Sequence, residues 1–221
     1  MNVVAVVVAG GSRSAGAAVD VLRPVAGVPM LVRSVRAVLA CGLVDHVMID
    51  GGERTSALLH ACAGLPVRAW QPRLAPQVVR AHSGQRADAT SGDGAGAERF
   101  DGFVVAHDAA RPLTPPALFG AVLEAVRHGH EVAVPVLPLA DTVKTVDGDG
   151  LVRGTPERAG LRVVQTPHAF RAGAVHTGLL DVAGAHTAAG RPVHTVVGDP
   201  LAFAVRTPWD LQLAELLVEG A

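Results

Sequence analysis

The amino-acid sequence predicts an α/β protein, with a mostly parallel, twisted sheet that carries helices on both faces. Short runs rich in Val and Ala alternate with segments of helical length, which is typical of βαβ units. The first run is apolar throughout, as in strands that are covered on both faces. At 221 residues and 49% hydrophobic content, the chain is long enough for a sizeable core. We therefore expect a single domain over residues 1–221.

The elements follow one another along the chain. Apolar runs predict strands at residues 3–9, 44–49, 67–70, 103–106 and 132–137. Segments of helical length predict helices at residues 29–40 and 53–62. Pro115 and Pro116 open a third helix that runs to about Arg127, because proline suits the first turn. Thr207 as the cap and Pro208 at the first position predict a last helix, to about Val218.

Two regions interrupt this alternation. Residues 84–102 are rich in Gly, Ala and Asp without an apolar stripe, and we expect a loop there. Residues 141–164 predict a hairpin, with the turn at DGDG between β-branched residues. We do not expect a hairpin so late in an α/β domain to pack on the main sheet. The sequence therefore predicts a projecting arm, at about residues 139–164, that contacts a partner chain.

The composition limits the possible functions. A formal net charge of −1 argues against a nucleic-acid surface that depends on bulk positive charge. Cys41 and Cys62 lack metal-like spacing and are expected to be buried, reduced thiols. The apolar run at 3–9 is too short to span a bilayer, so we expect a soluble cytoplasmic protein. Because Lys144 is the single lysine among 19 Lys and Arg residues, phosphate must be bound by Arg, backbone N–H groups, a metal or Lys144.

A Gly-rich stretch, AGGSR at residues 9–13, follows the first predicted strand. Successive N–H groups in such a stretch can donate to phosphate oxygens, and Arg13 suits a triphosphate. The pattern matches neither G-x-G-x-x-G nor a P-loop. A simple turn between strand and helix is the alternative interpretation.

The motif HDAARP, residues 107–112, ends the fourth predicted strand. Ligands of open α/β sheets bind beyond the carboxyl ends of strands, where Asp108 could hold nucleotide-bound Mg²⁺ and Arg111 could bind an anion. The alternative is an Asp108–Arg111 ion pair that only orders the turn. We expect His107 to be a structural hydrogen-bonding residue.

Hydroxyl groups and cations recur further along the chain, in DTVK, TPER and QTPHAF. These residue types at strand ends suit a phosphorylated polyol. The candidates are Thr142, Lys144, Arg158 and Thr166. Each of them alone is also compatible with an ordinary turn or surface position.

In this order, FVVAHDAARP, DTVKTV, TPERAGLRVVQTPHAF and TPWDLQLAE resemble the 2-C-methyl-D-erythritol 4-phosphate cytidylyltransferases of isoprenoid biosynthesis. Ribitol-5-phosphate cytidylyltransferases are the nearest relatives of that family. The resemblance covers nearly the whole chain and implies a Rossmann-like nucleotidyltransferase fold and a homodimer formed through the arm. It also implies transfer of CMP from CTP to 2-C-methyl-D-erythritol 4-phosphate, with Mg²⁺ and release of pyrophosphate.

The resemblance also implies roles for individual residues. The CTP phosphates would contact Ala9, Gly10, Gly11, Ser12 and Arg13, and cytosine would be recognised by Gly84, Arg86 and Asp88. Asp108 would bind Mg²⁺, with Arg111 beside the substrate. Thr142 and Arg158, on the arm, would reach the sugar-alcohol phosphate of the partner subunit, and Thr166 would also bind substrate.

This sequence departs from the family at the positions that carry the chemistry. One residue is missing between Gly10 and Gly11, Ala89 replaces a Ser, and Leu180 replaces a Thr. Asp20 and Ala204 stand where the family has lysines that stabilise the transition state. Loss of one such donor costs roughly 10²–10³ in rate.

Three hypotheses follow from these departures. Arg23 and Arg206 could replace the missing lysines in a working cytidylyltransferase, since Arg206 would share a face with Ala204 on a strand. The chain could instead be a weak or inactive homologue that binds a nucleotide or a partner. It could also be a nucleotidyltransferase for another polyol phosphate or another nucleotide.

Overall fold

The computed structural model describes residues 2–9, 19–70, 102–172 and 178–220. The strands of the first half are β1 (Asn2–Val8), β2 (Pro24–Val25), β3 (Val28–Pro29), β4 (His46–Asp50), β5 (Val67–Ala69) and β6 (Gly102–Asp108). The later strands are β7 (Val132–Pro138), β8 (Thr145–Val146), β9 (Val152–Gly154), β10 (Arg162–Val164), β11 (His168–Arg171) and β12 (His194–Val197). The helices are α1 (Met30–Ala40), α2 (Thr55–Ala61), α3 (Pro116–Arg127), α4 (Val182–Ala188) and α5 (Pro208–Glu219).

The main sheet has eight strands in the described residues, and β1 lies near its centre. β1 pairs in parallel with β4 and β6, and β4 pairs in parallel with β5. β11 lies antiparallel between β6 and β7, while β7 also pairs antiparallel with β10 and parallel with β12. The carboxyl ends of β1, β4 and β6 therefore meet at one edge, where ligands of such sheets bind.

The sheet is covered on both faces, as predicted. Along β1, Val3, Ala5 and Val7 belong to the core beneath α1, α2 and α3. The alternate residues Val4 and Val6 belong to a second core that includes Val182 of α4. Alternation of this kind follows from the two-residue period of a strand.

A third, smaller core fixes the C-terminal part of the chain near the carboxyl edge. Val25, Met30, Val205 and Ala214 are buried together, so that α5 and the residues before it pack against β2 and α1. Thr207 begins α5 with a capping box, as the sequence predicts. Its hydroxyl accepts from the Asp210 N–H, and Asp210 accepts from the Thr207 N–H. Caps of this kind contribute about 1 kcal/mol.

Most predicted elements are found within a few residues of their expected bounds, but several differ. The helix expected at 53–62 begins as a 3₁₀ turn, Gly52–Arg54, followed by α2. The sequence did not predict β2, β3, β11, β12 or α4. None of the helices in the described ranges is long and apolar enough to cross a membrane.

The predicted hairpin is present, and its position corrects one expectation. β8 and β9 form a two-stranded sheet apart from the main one. Asp147 closes the turn by accepting hydrogen bonds from the N–H groups of Asp149 and Leu151. The expectation that the whole of 141–164 avoids the main sheet is wrong for β10, because Arg162–Val164 pairs with the end of β7.

Candidate active site

The Asp108 carboxylate is fixed at the end of β6 by its neighbours. Its Oδ1 accepts a 2.9 Å hydrogen bond from the Ala110 N–H. Its own N–H donates to Thr166 Oγ1 at 3.1 Å, and that hydroxyl lies 3.1 Å from His107 Nδ1. The Asp108 side chain is 10% exposed. Thr166, expected to bind substrate, is thus buried and hydrogen-bonded to the strand that carries Asp108.

His107 has the structural role expected from the sequence. It is fully buried, and its ring lies 5.0 Å from that of Phe119, centroid to centroid. Burial, with a contribution from the nearby Arg111 cation, lowers the pKa of His107 to about 3. The imidazole is therefore neutral at physiological pH, and its contact with Thr166 supports the strand end.

Arg111 is tied to the chain on both sides of the site. Its N–H donates to the Asp108 carbonyl oxygen at 3.0 Å, and its guanidinium donates to the Ala202 carbonyl. Burial lowers the pKa of Arg111, the Asp108 carboxylate opposes that shift, and Arg206 lowers it further. The ion pairs of the described residues do not include Asp108 with Arg111. The guanidinium is instead held by the segment that precedes α5.

Arg206 reaches the Asp108 carboxylate. The Val205 N–H donates to the Ala110 carbonyl at 2.7 Å, which brings the extended segment 203–206 alongside HDAARP. Arg206 Nη2 lies 3.7 Å from Asp108 Oδ2, and the arginine side chain is 40% exposed. These residues form no strand, so the expected strand geometry is absent, but Ala204 and Arg206 are both partly exposed on either side of buried Val205.

Asp20 and Arg23 are the other two positions that the sequence links to a missing lysine. In the described residues, neither contacts the group formed by Asp108, Arg111 and Arg206. Arg23 is exposed. Asp20 is paired with Arg54, whose Nη2 lies 3.0 Å from both carboxylate oxygens. Arg54 was not among the predicted site residues, because no local sequence pattern links it to Asp20, 34 positions earlier. The one signal was its place just after the Gly51–Gly52 turn that ends β4.

The remaining nucleotide-binding candidates are largely outside the described residues. Ala9 is described, and its N–H donates to the Asp50 carbonyl at 2.7 Å, so this group extends the pairing of β1 with β4. The predictions for the other candidates fall on residues that the structure does not describe: Gly10, Gly11, Ser12, Arg13, Gly84, Arg86 and Asp88.

Thr142 and Arg158 lie on the arm and are exposed. Arg158 Nη1 donates to the Ala140 carbonyl at 2.8 Å, and Lys144 Nζ lies 2.6 Å from Thr155 Oγ1. Within the described ranges, no hydrogen bond or ion pair joins Thr142 or Arg158 to Asp108 or Arg111.

Asp108 alone provides too few ligands for a metal ion, so a metal here would also need oxygen ligands from a nucleotide. Among the residues that the structure describes, no three His, Cys, Asp or Glu side chains are grouped to hold an ion. Asp108 offers Oδ2, since Oδ1 accepts from Ala110. Mg²⁺ is commonly held by one or two carboxylates, with the remaining ligands from phosphates and water. The arrangement suits that mode.

Comparisons with known proteins agree on one family. Residues 2–220 match the family described as 2-C-methyl-D-erythritol 4-phosphate cytidylyltransferase. The enzyme of that name from Nocardia farcinica is 42% identical over 208 residues, which cover 89% of this chain and 84% of the relative. The one from Rhodococcus jostii is 41% identical over 201 residues, covering 87% of this chain and 84% of the relative.

Solved structures are similar over the whole chain. A 2-C-methyl-D-erythritol 4-phosphate cytidylyltransferase from Thermus thermophilus has a TM-score of 0.68 at 25% identity, covering 99% of this chain and 100% of that one. A 4-diphosphocytidyl-2C-methyl-D-erythritol synthase from Anaerococcus prevotii has a TM-score of 0.71 at 19% identity, covering 99% and 98%. These similarities confirm the predicted α/β nucleotidyltransferase fold.

Proposed function

The chain belongs to the 2-C-methyl-D-erythritol 4-phosphate cytidylyltransferase family, and we propose that it transfers CMP from CTP to 2-C-methyl-D-erythritol 4-phosphate. In this reaction a phosphate oxygen of the acceptor attacks the α-phosphorus of CTP. The bond between that phosphorus and the bridging oxygen to the β-phosphate breaks, and pyrophosphate leaves. Membership of the family favours this enzyme activity over the alternatives of an inactive homologue or another acceptor.

The observation that carries the proposal is the position of Arg206 beside Asp108 and Arg111. Two guanidinium groups and one carboxylate leave an excess of positive charge at the carboxyl edge. Negative charge grows on the phosphate oxygens in the transition state, and fixed cations there lower the barrier. Arg206 therefore takes over the role of the lysine that Ala204 replaces.

Positioning is the second contribution of this cluster. Arg111 is held by Ala202, and Asp108 is held by Ala110 and Thr166. Groups fixed in this way need little rearrangement when the two phosphates are brought into line. Thr166 acts in this scheme by supporting the strand end beneath Asp108.

Asp108 would hold Mg²⁺ through its carboxylate, together with phosphate oxygens of the nucleotide. When bound, Mg²⁺ supplies neutralising charge on the triphosphate and helps to orient it. The residues of this chain need only provide one oxygen ligand and the two flanking arginines. Gly10, Gly11, Ser12 and Arg13 would contact the CTP phosphates, and Gly84, Arg86 and Asp88 the cytosine.

We also propose that the protein acts as a homodimer that is joined through the arm. Thr142 and Arg158 are exposed, and the arm carries exposed apolar side chains at Val146, Leu151 and Val152. Contact with a second copy would cover those side chains. The same contact would bring Thr142 and Arg158 to the acceptor phosphate in the partner's site.

The cytoplasm is the proposed location. Both cysteines are free thiols; Cys62 is buried, as the sequence predicts, whereas Cys41 is only partly buried, which corrects that expectation. Unpaired cysteines suit a reducing compartment. Neither thiol lies among the residues assigned to the reaction.

The experiment that tests the function is release of pyrophosphate by the purified protein with CTP, Mg²⁺ and 2-C-methyl-D-erythritol 4-phosphate. We expect turnover of about 1–10³ s⁻¹, the ordinary range of enzymes. Asp108→Asn is the matched control, because it keeps the shape of the side chain and removes its charge. Absence of turnover in the native protein, or faster turnover with ribitol 5-phosphate, would contradict the proposal.

A further inference from the structure

The ion pair between Arg54 and Asp20 lies where the family has a lysine in place of Asp20. Arg54 Nη2 lies 3.0 Å from Oδ1 and 3.0 Å from Oδ2, and Oδ1 also accepts from the Leu22 N–H at 3.0 Å. The Leu22 hydrogen bond, together with Arg54, lowers the pKa of Asp20 although burial opposes the shift. Both side chains are about half exposed, at 51% and 50%. The pair is therefore charged and accessible to a ligand.

Both partners are held at the carboxyl edge of the sheet, beside the end of β1. The Ala9 N–H donates to the Asp50 carbonyl, at the end of β4, and Arg54 follows shortly after. The turn between them needs glycine, because Gly52 has a φ of +56° and a Cβ on Gly51 would lie 2.2 Å from Leu58 Cδ1. This tight turn fixes the direction in which Arg54 leaves the strand.

Asp20 is anchored from the other side. Its carbonyl accepts from the Arg23 N–H at 2.8 Å, and the next residue, Val21, accepts from the Leu31 N–H at 2.9 Å. Asp20 is thereby tied to the first turn of α1. The pair joins the segment after β4 to the segment before α1, on either side of the edge where the triphosphate is expected.

We propose that Arg54 binds the β- and γ-phosphates of CTP and that Asp20 positions it for this contact. The inference rests on the proposed function, since it concerns the nucleotide of that reaction. The side-chain hydrogen bonds of Arg54 with described residues use Nη2, which leaves donors on Nε and Nη1 for phosphate oxygens. A guanidinium held by a carboxylate on one side can bind an anion on the other.

This arrangement explains how a carboxylate can stand where the family has a cation. Asp20 alone would repel a triphosphate, whereas the ion pair brings a positive group to the same edge. A simple surface ion pair would contribute little to binding or stability. A phosphate-binding ion pair and an ordinary surface ion pair therefore predict different effects of Arg54 on nucleotide binding.

The test measures binding of CTP, CMP and inorganic pyrophosphate by calorimetry, together with kcat and KM for CTP. We expect Arg54→Ala to weaken binding of CTP and pyrophosphate about tenfold, since a charge-assisted hydrogen bond is lost. Binding of CMP, which lacks the β- and γ-phosphates, stays unchanged. Arg54→Lys recovers part of the loss. Arg127→Ala is the matched control, because this exposed arginine ends α3 before β7 begins.

A second pair of variants tests the positioning role of Asp20. We expect Asp20→Asn to weaken pyrophosphate binding in the native background, because Arg54 loses its support. In the Arg54→Ala background the same change should strengthen binding, because an unpaired carboxylate no longer repels the phosphates. If the ion pair only stabilised the fold, the effect of Asp20→Asn on pyrophosphate binding would not change sign between the two backgrounds.

The outcomes separate this inference from the proposed function. If the native protein turns over CTP and Arg54→Ala leaves CTP and pyrophosphate binding unchanged, the inference is wrong and the function stands. An equal loss of CMP binding would also overturn it, because Arg54 would then not be specific for the outer phosphates. If the native protein shows no turnover but Arg54→Ala still weakens pyrophosphate binding selectively, the inference holds and the proposed function fails.

Discussion

Arg206 and Asp108 approach to 3.7 Å at the carboxyl edge of the sheet, although they belong to segments far apart in the chain. The Val205–Ala110 backbone hydrogen bond brings the two segments together. This contact places the Arg206 cation close to Ala204, a position at which the side chain carries no charge. We therefore predict that Arg206 supplies the positive charge that the family places at the position of Ala204.

Arg206→Ala tests whether Arg206 supplies the positive charge needed in the transition state. We expect kcat to fall by about 10²-fold, because a fixed donor to the developing negative charge is lost. Arg206→Lys should retain more activity than the alanine variant. The measurement is steady-state pyrophosphate release at saturating CTP and acceptor.

Ala204→Lys is the control, because it returns a lysine to the position where the family has one. In the native background we expect little gain, because Arg206 already supplies the charge. In the Arg206→Ala background the added lysine should restore most of the lost kcat. If the lysine accelerates the native protein as much as the variant, Arg206 does not replace it.

Thr166→Val tests whether this residue supports the site or binds substrate directly. The Asp108 N–H and His107 Nδ1 both contact its hydroxyl in a buried position. Removing the hydroxyl leaves a buried donor unsatisfied, and we expect the free energy of unfolding to fall by about 1–3 kcal/mol. Chemical denaturation measures this loss. A rise in KM for the acceptor with unchanged stability would instead indicate direct substrate binding.

The strands and long helices were predictable, because their apolar residues repeat with a clear period. β11 has only four residues and follows Pro167, and α4 is composed mainly of Ala, Gly, His and Thr, so neither shows such a pattern. The position of Asp108 and Arg111 after a strand was predictable, whereas Arg206 approaches Asp108 from an extended segment that forms no strand. Arg54 could not be predicted, because its pairing with Asp20 depends on how β1, β4 and α1 are brought together.

Gly198→Ala tests a close backbone approach beside the site. A Cβ at this position would lie 2.3 Å from Gln165 Oε1 and 3.0 Å from the Val136 carbonyl oxygen. Gln165 cannot move cheaply, because its amide makes two hydrogen bonds with the Asp199 backbone. We expect thermal and chemical denaturation to show a loss of about 1–3 kcal/mol.

Gly184→Ala is the matched control for that substitution. Gly184 lies within α4, and nothing lies within 4 Å of an added Cβ. Alanine there should stabilise the protein by up to about 1 kcal/mol, because it favours the helix. If both variants lose stability equally, the close approach at Gly198 is not the cause.

The buried histidines predict a dependence of stability on pH. Burial is the main cause that lowers the pKa of His107 to about 3 and that of His168 to about 4, and Arg111 adds to both shifts. In the unfolded chain a histidine titrates near pH ~6.5. Between these values the unfolded chain binds protons that the folded one does not. The free energy of unfolding should therefore fall as the pH decreases from about 6.5 towards 4.

Each histidine should contribute a slope of up to about 1.4 kcal/mol per pH unit within that window. His168→Gln should remove its share of the slope, which urea denaturation at several pH values would measure. His46→Gln is the control, because His46 is exposed and has no comparable burial. An unchanged slope in the His168 variant would show that this imidazole does not control acid stability.

The arm predicts that oligomeric state and activity are linked. Val152 on the hairpin is 62% exposed, so Val152→Asp should leave the fold of one chain intact while placing a charge in the proposed contact with a second copy. If the protein forms the proposed dimer, Val152→Asp should convert it to a monomer in sedimentation experiments. The activity should fall with it, because Thr142 and Arg158 could no longer reach the partner's site.

Val197→Asp is the control for this change, because Val197 is 85% exposed on β12, which pairs with β7 and with neither hairpin strand, β8 or β9. It should affect neither assembly nor turnover.

Mixing the Arg158→Ala and Asp108→Asn proteins gives a sharper result. Mixed dimers would contain one site with native residues from both chains, so partial activity should return although each protein alone is inactive. If mixing restores nothing while mixed dimers form, Arg158 acts within its own chain and the proposed contribution across the dimer is wrong.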